Sequence, residues 1–302
     1  MLAFTLAVVL WGAFVRAAGA GAGCGNHWPL CNGEVLPSSP AAKTIIEFTH
    51  RLMSGADGLL IAALFVYSFR AFPRRHPARL GAALSLTFLV TEALIGALLV
   101  KLEHVAQNAS VGRAWSLSGH LINTLALLAF LALTAWWAGG GSRLTLRRSN
   151  LWLAAPAILL FVLTGISGAI AALGDTLFPA SSLASGFRQD FNPAASVFLR
   201  LRLLHPVLAV TTGLWLAYFA SRTAARLKTS RPYAHRLLIL VASQIAAGAL
   251  NLLLLAPVWM QLLHLLLADL IWIAMMLLIA RSLELSQLAS ERPYAPMVSK
   301  PV

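Results

Sequence analysis

The sequence predicts an all-α membrane protein of eight transmembrane helices, arranged as two pseudo-symmetric four-helix bundles. Three observations predict it: an excess of apolar residues, the length of the apolar runs, and the placement of the positive charges. The 302 residues are 59% hydrophobic and only 11% charged, at a mean hydropathy of +0.78. A soluble domain carries about a quarter charged residues, so this chain lacks the polar surface to cover a water-facing globule. Membrane barrels show alternating segments of about ten residues, whereas the Leu/Ala/Val runs here do not alternate and approach the roughly 20 residues of a spanning helix. The net charge of +13 falls mainly on alternate connections, which assigns it to membrane topology and gives no support to nucleic-acid binding.

The apolar stretches lie at 1–16, 45–69, 80–101, 115–137, 151–173, 196–219, 236–256 and 258–281. The first starts at Met1 without a basic flank. Glycine-rich sequence with Trp28 and Pro29 follows where a small-residue cleavage site would be needed, so it reads as an uncleaved helix. Fifteen Lys and Arg, among them Arg74, Arg75, Arg147, Arg226, Lys228 and Arg292, lie after the even-numbered spans, against five (Arg16, Lys43, Lys101, Arg113, Arg188) on the other side. The positive-inside rule then puts both termini in the cytoplasm and the segments 17–44, 102–114 and 174–195 outside. The chain is expected in a plasma (inner) membrane, in contact with lipid.

Spans one to four and five to eight read as two copies of one unit, 1–140 and 150–285, with a cytoplasmic tail at 286–302. Glu92-Ala93-Leu94-Ile95-Gly96-Ala97-Leu98 in span three matches Gln244-Ile245-Ala246-Ala247-Gly248-Ala249-Leu250 in span seven. Gly12-Ala13 near the outer end of span one matches Gly165-Ile166-Ser167-Gly168-Ala169 in span five. Small residues at such spacing serve close helix packing in a bilayer, which accounts for each glycine taken singly.

The histidines follow the same repeat. His27, His76, His104 and His235 fall in connections and read as ordinary solvated residues. His50, His120, His205 and His264 fall in spans two, four, six and eight, each one to two turns below the outer end. One buried histidine is usually a hydrogen-bonding group or a proton relay. Four at a shared level, two per repeat, fit axial ligation of porphyrin iron between facing helices. A bare Zn or Cu site is the competing chemistry, but such clusters usually include Cys or carboxylate ligands, and only the first pair has a carboxylate near it. That carboxylate is Glu47, three residues before His50 and on its helical face. The matching position before His205 is Arg202.

The run Gly21-Ala22-Gly23-Cys24-Gly25-Asn26-His27-Trp28-Pro29-Leu30-Cys31-Asn32-Gly33, followed by Ile46-Glu47-Phe48-Thr49-His50-Arg51, resembles the heme A synthase family. Members oxidise a methyl group of heme O to a formyl group, making heme A for terminal oxidases. The resemblance implies that His50 and His120 frame the substrate heme, that His205 and His264 are axial ligands of a resident heme b, and that Glu47 is the catalytic carboxylate. A carboxylate at a porphyrin edge can accept a proton or stabilise a developing cation; hydrogen bonding to His50 or pairing with Arg51 is its structural alternative. A heme O synthase and oxidase-assembly proteins are the partners implied. Homo-oligomerisation is left open, as is a non-catalytic reading as a bis-histidine membrane cytochrome b or a heme-handling transporter.

Three positions depart from the family pattern. His205-Pro206 stands where the family has His-Arg, and Pro206 is expected to kink span six. The loop 174–195 has no Cys, and Glu92 takes a place commonly held by Gln. Glu92 and Asp269 are costly in lipid and are expected to face the interior, with Asp57 near a polar helix contact. Cys24 and Cys31, the only two cysteines, lie outside by the charge distribution. A disulfide there would contribute about 2–3 kcal/mol in the chain-entropy model; ligation of a metal with His27 is the alternative, and a structural and a redox-active pair look alike in sequence.

Overall fold

The computed structural model describes residues 1–38, 40–144, 148–192 and 196–290 and is helical throughout its membrane-sized segments. The helices are α1 (Leu2–Ala17), α2 (Ala42–Ala71), α3 (Pro77–Lys101), α4 (Val111–Ala138), α5 (Arg148–Leu177), α6 (Leu183–Asp190), α7 (Val197–Arg202), α8 (Leu204–Arg226), α9 (Arg231–Leu253) and α10 (Val258–Ser290). Among the described residues, seven segments are long and apolar enough to cross a membrane, with α7 and α8 counting together as one. This is a multi-pass membrane protein. The shortfall from the expected eight is α1, whose 16 residues rise about 24 Å against a hydrocarbon core of about 30 Å.

Local signals explain most boundaries. His76 caps α3, accepting at Nδ1 from Ala78 N, and Pro77 takes the first helical position, where no amide donor is needed. Ser110 caps α4 by accepting from Arg113 N. The expected kink at Pro206 is a break between α7 and α8 at Leu203, because the proline ring and its missing N–H act against the carbonyl of Arg202 four residues earlier. The segment 174–195, expected as an outward loop, contains α6, started by a reciprocal Ser182–Ser185 capping box. α10 runs on to Ser290. Arg147, Arg292, Lys300 and the rest of the tail from 291 lie outside the described residues.

α4 is the central helix. Of its most apolar stretch 61% is buried, against 11% for α3, so α4 faces protein where α3 faces lipid. Leu125 and Leu128 of α4 pack with Ala157 of α5, Leu216 and Phe219 of α8, Leu237 of α9, and Trp272 and Met275 of α10. Trp272 Nε1 donates to Leu125 O at 2.7 Å, tying the middle of α4 to the middle of α10. Thr5 Oγ1 donates to buried Asp57 at 3.0 Å and joins α1 to α2, the polar contact expected for that residue. Asp269 is buried as expected, and its Oδ2 finds no partner.

Leu128→Ala should lower stability by about 2–5 kcal/mol through lost packing at a fully buried position. Leu98→Ala, on the lipid-facing side of α3 and 49% exposed, should change it by less than about 0.5 kcal/mol. Denaturant titration of the protein in mixed micelles measures both.

Candidate functional site

The four span histidines sit against small or polar residues of neighbouring helices, and the contacts repeat between the two halves of the chain. A Cβ on Gly12 of α1 would come within 2.9 Å of His50 Cε1 on α2, and one on Gly168 of α5 within 2.8 Å of His205 Cε1 on α8. The paired glycines are therefore more than packing residues: they are where an imidazole passes against the next helix. A Cβ on Gly248 of α9 would meet His264 on α10 at 3.0 Å, while the repeat-related Gly96 has open space.

The matched positions Glu92 and Gln244 have matching neighbours. Glu92 Oε2 lies 3.4 Å from His120 Nδ1, and Gln244 Nε2 lies 3.2 Å from His264 Nε2. Glu92 is fixed in place: Asn123 Nδ2 donates to its Oε2 at 2.6 Å, and Thr124 Oγ1 donates to its Oε1. Asn123 in turn accepts from Thr91 Oγ1 at 2.6 Å and donates to Phe88 O at 2.7 Å. His50, His120 and Glu92 are close enough to interact electrostatically.

Ser167 donates to Thr164 O at 2.8 Å and lies 3.0 Å from His205 Nδ1. With its hydrogen directed to the carbonyl, the serine is free to accept from Nδ1–H, and in that tautomer Nε2 carries the lone pair. The ring centres of His205 and His264 are 6.3 Å apart with planes at 83°. Metal–imidazole bonds of about 2.0–2.1 Å on both sides of one ion put the ring centres roughly 6 Å apart. The spacing of this pair thus fits a shared porphyrin iron. Nδ1 of His50 and of His264 is buried without a hydrogen-bond partner, and that of His120 has only the ion-pair contact with Glu92. Among the described residues, no three His, Cys, Asp or Glu converge as a bare metal site would require.

Cys24 and Cys31 form a disulfide, with both residues fully buried. The loop it closes is fastened to α2. Glu47 Oε2 accepts from Cys24 N at 2.9 Å, Arg51 Nη2 donates to Glu47 Oε1 at 2.5 Å, and Arg51 Nη1 donates to His27 O and Leu30 O at 2.8 and 2.7 Å. Thr44 Oγ1 adds a bond to Gly23 O at 2.7 Å. Glu47 is 4% exposed, held between the loop and Arg51 one turn from His50. At the matching place Arg202 pairs with Asp175 and Asp190 at 2.6 and 2.5 Å.

Sequence reasoning missed Ser167, Gln244, Asn123 and Thr124. Ser167 and Gln244 both stood inside the repeat segments, where a polar residue among small apolar ones was the available signal. His104, expected to be solvated, is partly buried with Nδ1 2.8 Å from Ser116 Oγ on α4.

Half-buried histidines braced by neighbouring helices, with a disulfide-closed loop fastened beside one of them, mark a helical multi-pass membrane protein. The family model described as COX15-CtaA, cytochrome oxidase assembly protein, matches residues 1–276, and the chain belongs to this family. It is 48% identical over 270 residues to a protoheme IX farnesyltransferase of Thermus thermophilus, covering 87% of this chain and 44% of that protein. Over 92 residues it is 47% identical to the heme A synthases of Bacillus mycoides and Bacillus cereus, covering 30% of this chain and 30% of each relative. The chain thus spans less than half the length of these relatives.

Arg51→Leu should free the 24–34 loop, since one side chain holds both Glu47 and two loop carbonyls. Hydrogen exchange by mass spectrometry should then speed up there with α4 and α10 unchanged.

Proposed function

We propose that this chain acts as a heme A synthase, oxidising a methyl group of heme O to a formyl group. In this reading the chain forms two four-helix halves, 1–140 and 150–285, with α1 as the eighth span and both termini in the cytoplasm. The recurring contacts of Gly12 with His50 and Gly168 with His205 support the repeat. His50 and His120 frame the substrate heme; His205 and His264 hold heme b, which supplies one-electron relay when bound. The observation that carries the assignment of roles is the asymmetry between halves: a buried carboxylate, Glu47, stands one turn from His50, and a cation, Arg202, stands in its place before His205.

The net change, passing through the hydroxymethyl level, replaces two methyl hydrogens by one oxygen atom; with water as the oxygen donor it releases four protons and four electrons, the electrons leaving to an acceptor outside the chain. Protons leave the methyl carbon and positive charge develops on it. Glu47 Oε1 or Oε2 takes the proton or balances that charge, and Arg51 together with Cys24 N–H holds the carboxylate in place. The disulfide loop covers the outer side of this half and limits the access of water to it. Glu92 braces His120 from α3.

The family description supports oxidase assembly as the setting. The Thermus relative supports a heme O synthase as partner, because a segment like this chain is there part of a longer polypeptide named for farnesylating protoheme.

Glu47→Gln keeps size and much of the hydrogen bonding but removes charge and proton acceptance. Co-expressed with a heme O source, this variant should accumulate heme O or its hydroxymethyl form with heme b retained, read by chromatography of extracted hemes. Near-normal heme A would leave Glu47 only the bracing role that its bonds to Arg51 and the loop already describe. His205→Ala or His264→Ala should abolish most of the low-spin heme b absorption; an unchanged spectrum in both would refute that assignment.

A further inference from the structure

The geometry points to an anion site at Arg113, completed by Arg16, that takes a carboxylate arm of the porphyrin in the first half. It rests on the reading of that half as a porphyrin pocket. Arg113 lies in the first turn of α4 and is only 2% exposed. Its Nη1 donates to Ala106 O at 2.6 Å and Asn108 O at 2.9 Å, both neutral acceptors, and its Nε is buried with no partner. The one carboxylate of the adjoining loop, Glu103, points to solvent.

Arg16, at the end of α1, also bonds neutral oxygens: Ala172 O at 2.9 Å, Thr176 Oγ1 at 3.0 Å and Gln261 Oε1 at 3.1 Å. The chain just past the end of α1 lies against the loop that precedes α4, where a Cβ on Gly21 would come within 3.3 Å of Val105, so both guanidinium groups belong to one end of the bundle. Asp175 acts on Arg16 from a distance, but its Oδ1 is engaged by Arg202. Two other arginines of this end are matched to acids, Arg51 to Glu47 and Arg202 to Asp175 and Asp190. A buried cation at Arg113 and a half-buried one at Arg16, neither with a bonded counter-charge, are costly, and an anion at Arg113 removes much of the cost.

The register on α4 says which anion. Arg113 and His120 are seven residues apart, two turns on one face and about 10 Å of rise, with the arginine on the outer side. An iron at the level of His120 places the end of a propionate arm in reach of Arg113. In a protoporphyrin, methyl groups flank the two carboxylate arms. An arm held at Arg113 therefore turns a methyl toward the same outer edge where Glu47 stands one turn above His50. Arg113 is thus a positioning residue that selects which edge of the porphyrin meets the carboxylate.

The test is absorption titration of the full-length chain, purified from heme-starved cells, with hemin and with hemin dimethyl ester, whose carboxylates are masked. Wild type should prefer hemin by about ten- to a hundredfold, the worth of one or two charge-assisted contacts. Arg113→Gln should shrink that preference to within about threefold by weakening hemin alone, and Arg113→Lys should keep most of it. Should Arg113→Gln fail to fold, Arg16→Gln is expected to lower the preference several-fold. An unchanged preference in the folded Gln variants overturns the site, as does equal loss of both ligands, which is what a mere tie for the 102–110 loop would give. Binding without preference in wild type also overturns it while leaving the porphyrin pocket standing. Failure of wild type to bind either ligand overturns the pocket and the site together.

Discussion

An imidazole passing against a glycine on the next helix is the contact on which the rest of the arrangement depends. Gly12 under His50 and Gly168 under His205 leave no room for even one added carbon. In a bilayer, helices gain little from burying apolar surface against each other, so close approach and polar satisfaction decide packing. The small residue brings the backbones together, and the histidine is thereby held to one rotamer at one depth. The other ligand-bearing helices obey the same constraint through polar side chains: Glu92 with its Asn123 and Thr124 supports stands beside His120, and Gln244 stands beside His264. The contact of Gly12 with His50 and that of Gly168 with His205 are one packing solution used twice.

On that shared frame the halves diverge at their outer ends, and the divergence is electrostatic. The first half carries a buried carboxylate clamped between an arginine and an amide of a disulfide-closed loop; the second carries an arginine clamped between two aspartates. The first clamp sets one positive charge against one negative, the second one positive against two negative, and it is this contact of opposite charges that lets them exist at low exposure. Chemistry at a porphyrin methyl needs an anion nearby, and electron transfer does not, so the split of charge is the split of roles proposed. Arg51 serves both purposes in the first half, because the group that neutralises Glu47 also fastens the loop above it.

The legibility of the fold and of the site followed the range of the forces involved. Hydropathy places most helix ends to within about five residues, since the bilayer imposes them locally along the chain, but α8 and α10 run on to Arg226 and Ser290, seven and nine residues past the apolar stretches. Pro206 announced the α7–α8 break for the same reason, its effect reaching only four residues back. The histidines and Glu47 were readable because their spacing is helical and repeated. What sequence could not show was which side chains from other helices reach them: the bond of Ser167 to His205, the stand of Glu92 beside His120, and the convergence of Arg16 and Arg113 from α1 and α4. Those depend on helix rotation and tertiary approach. The α6 turn inside 174–195 was missed because eight residues with a Ser–Ser capping box leave little periodic signal.

The claim that the four histidines act as two axial pairs, His50 with His120 and His205 with His264, is tested most directly by electron paramagnetic resonance of the chain loaded with two ferric porphyrins. Two low-spin signals are expected, one of them strongly anisotropic, as axial imidazole planes 83° apart require for the second pair. Replacing His205 or His264 with Ala should remove that signal alone, and replacing His50 or His120 the other alone. A single low-spin signal, or loss of both on any one replacement, would contradict the pairing.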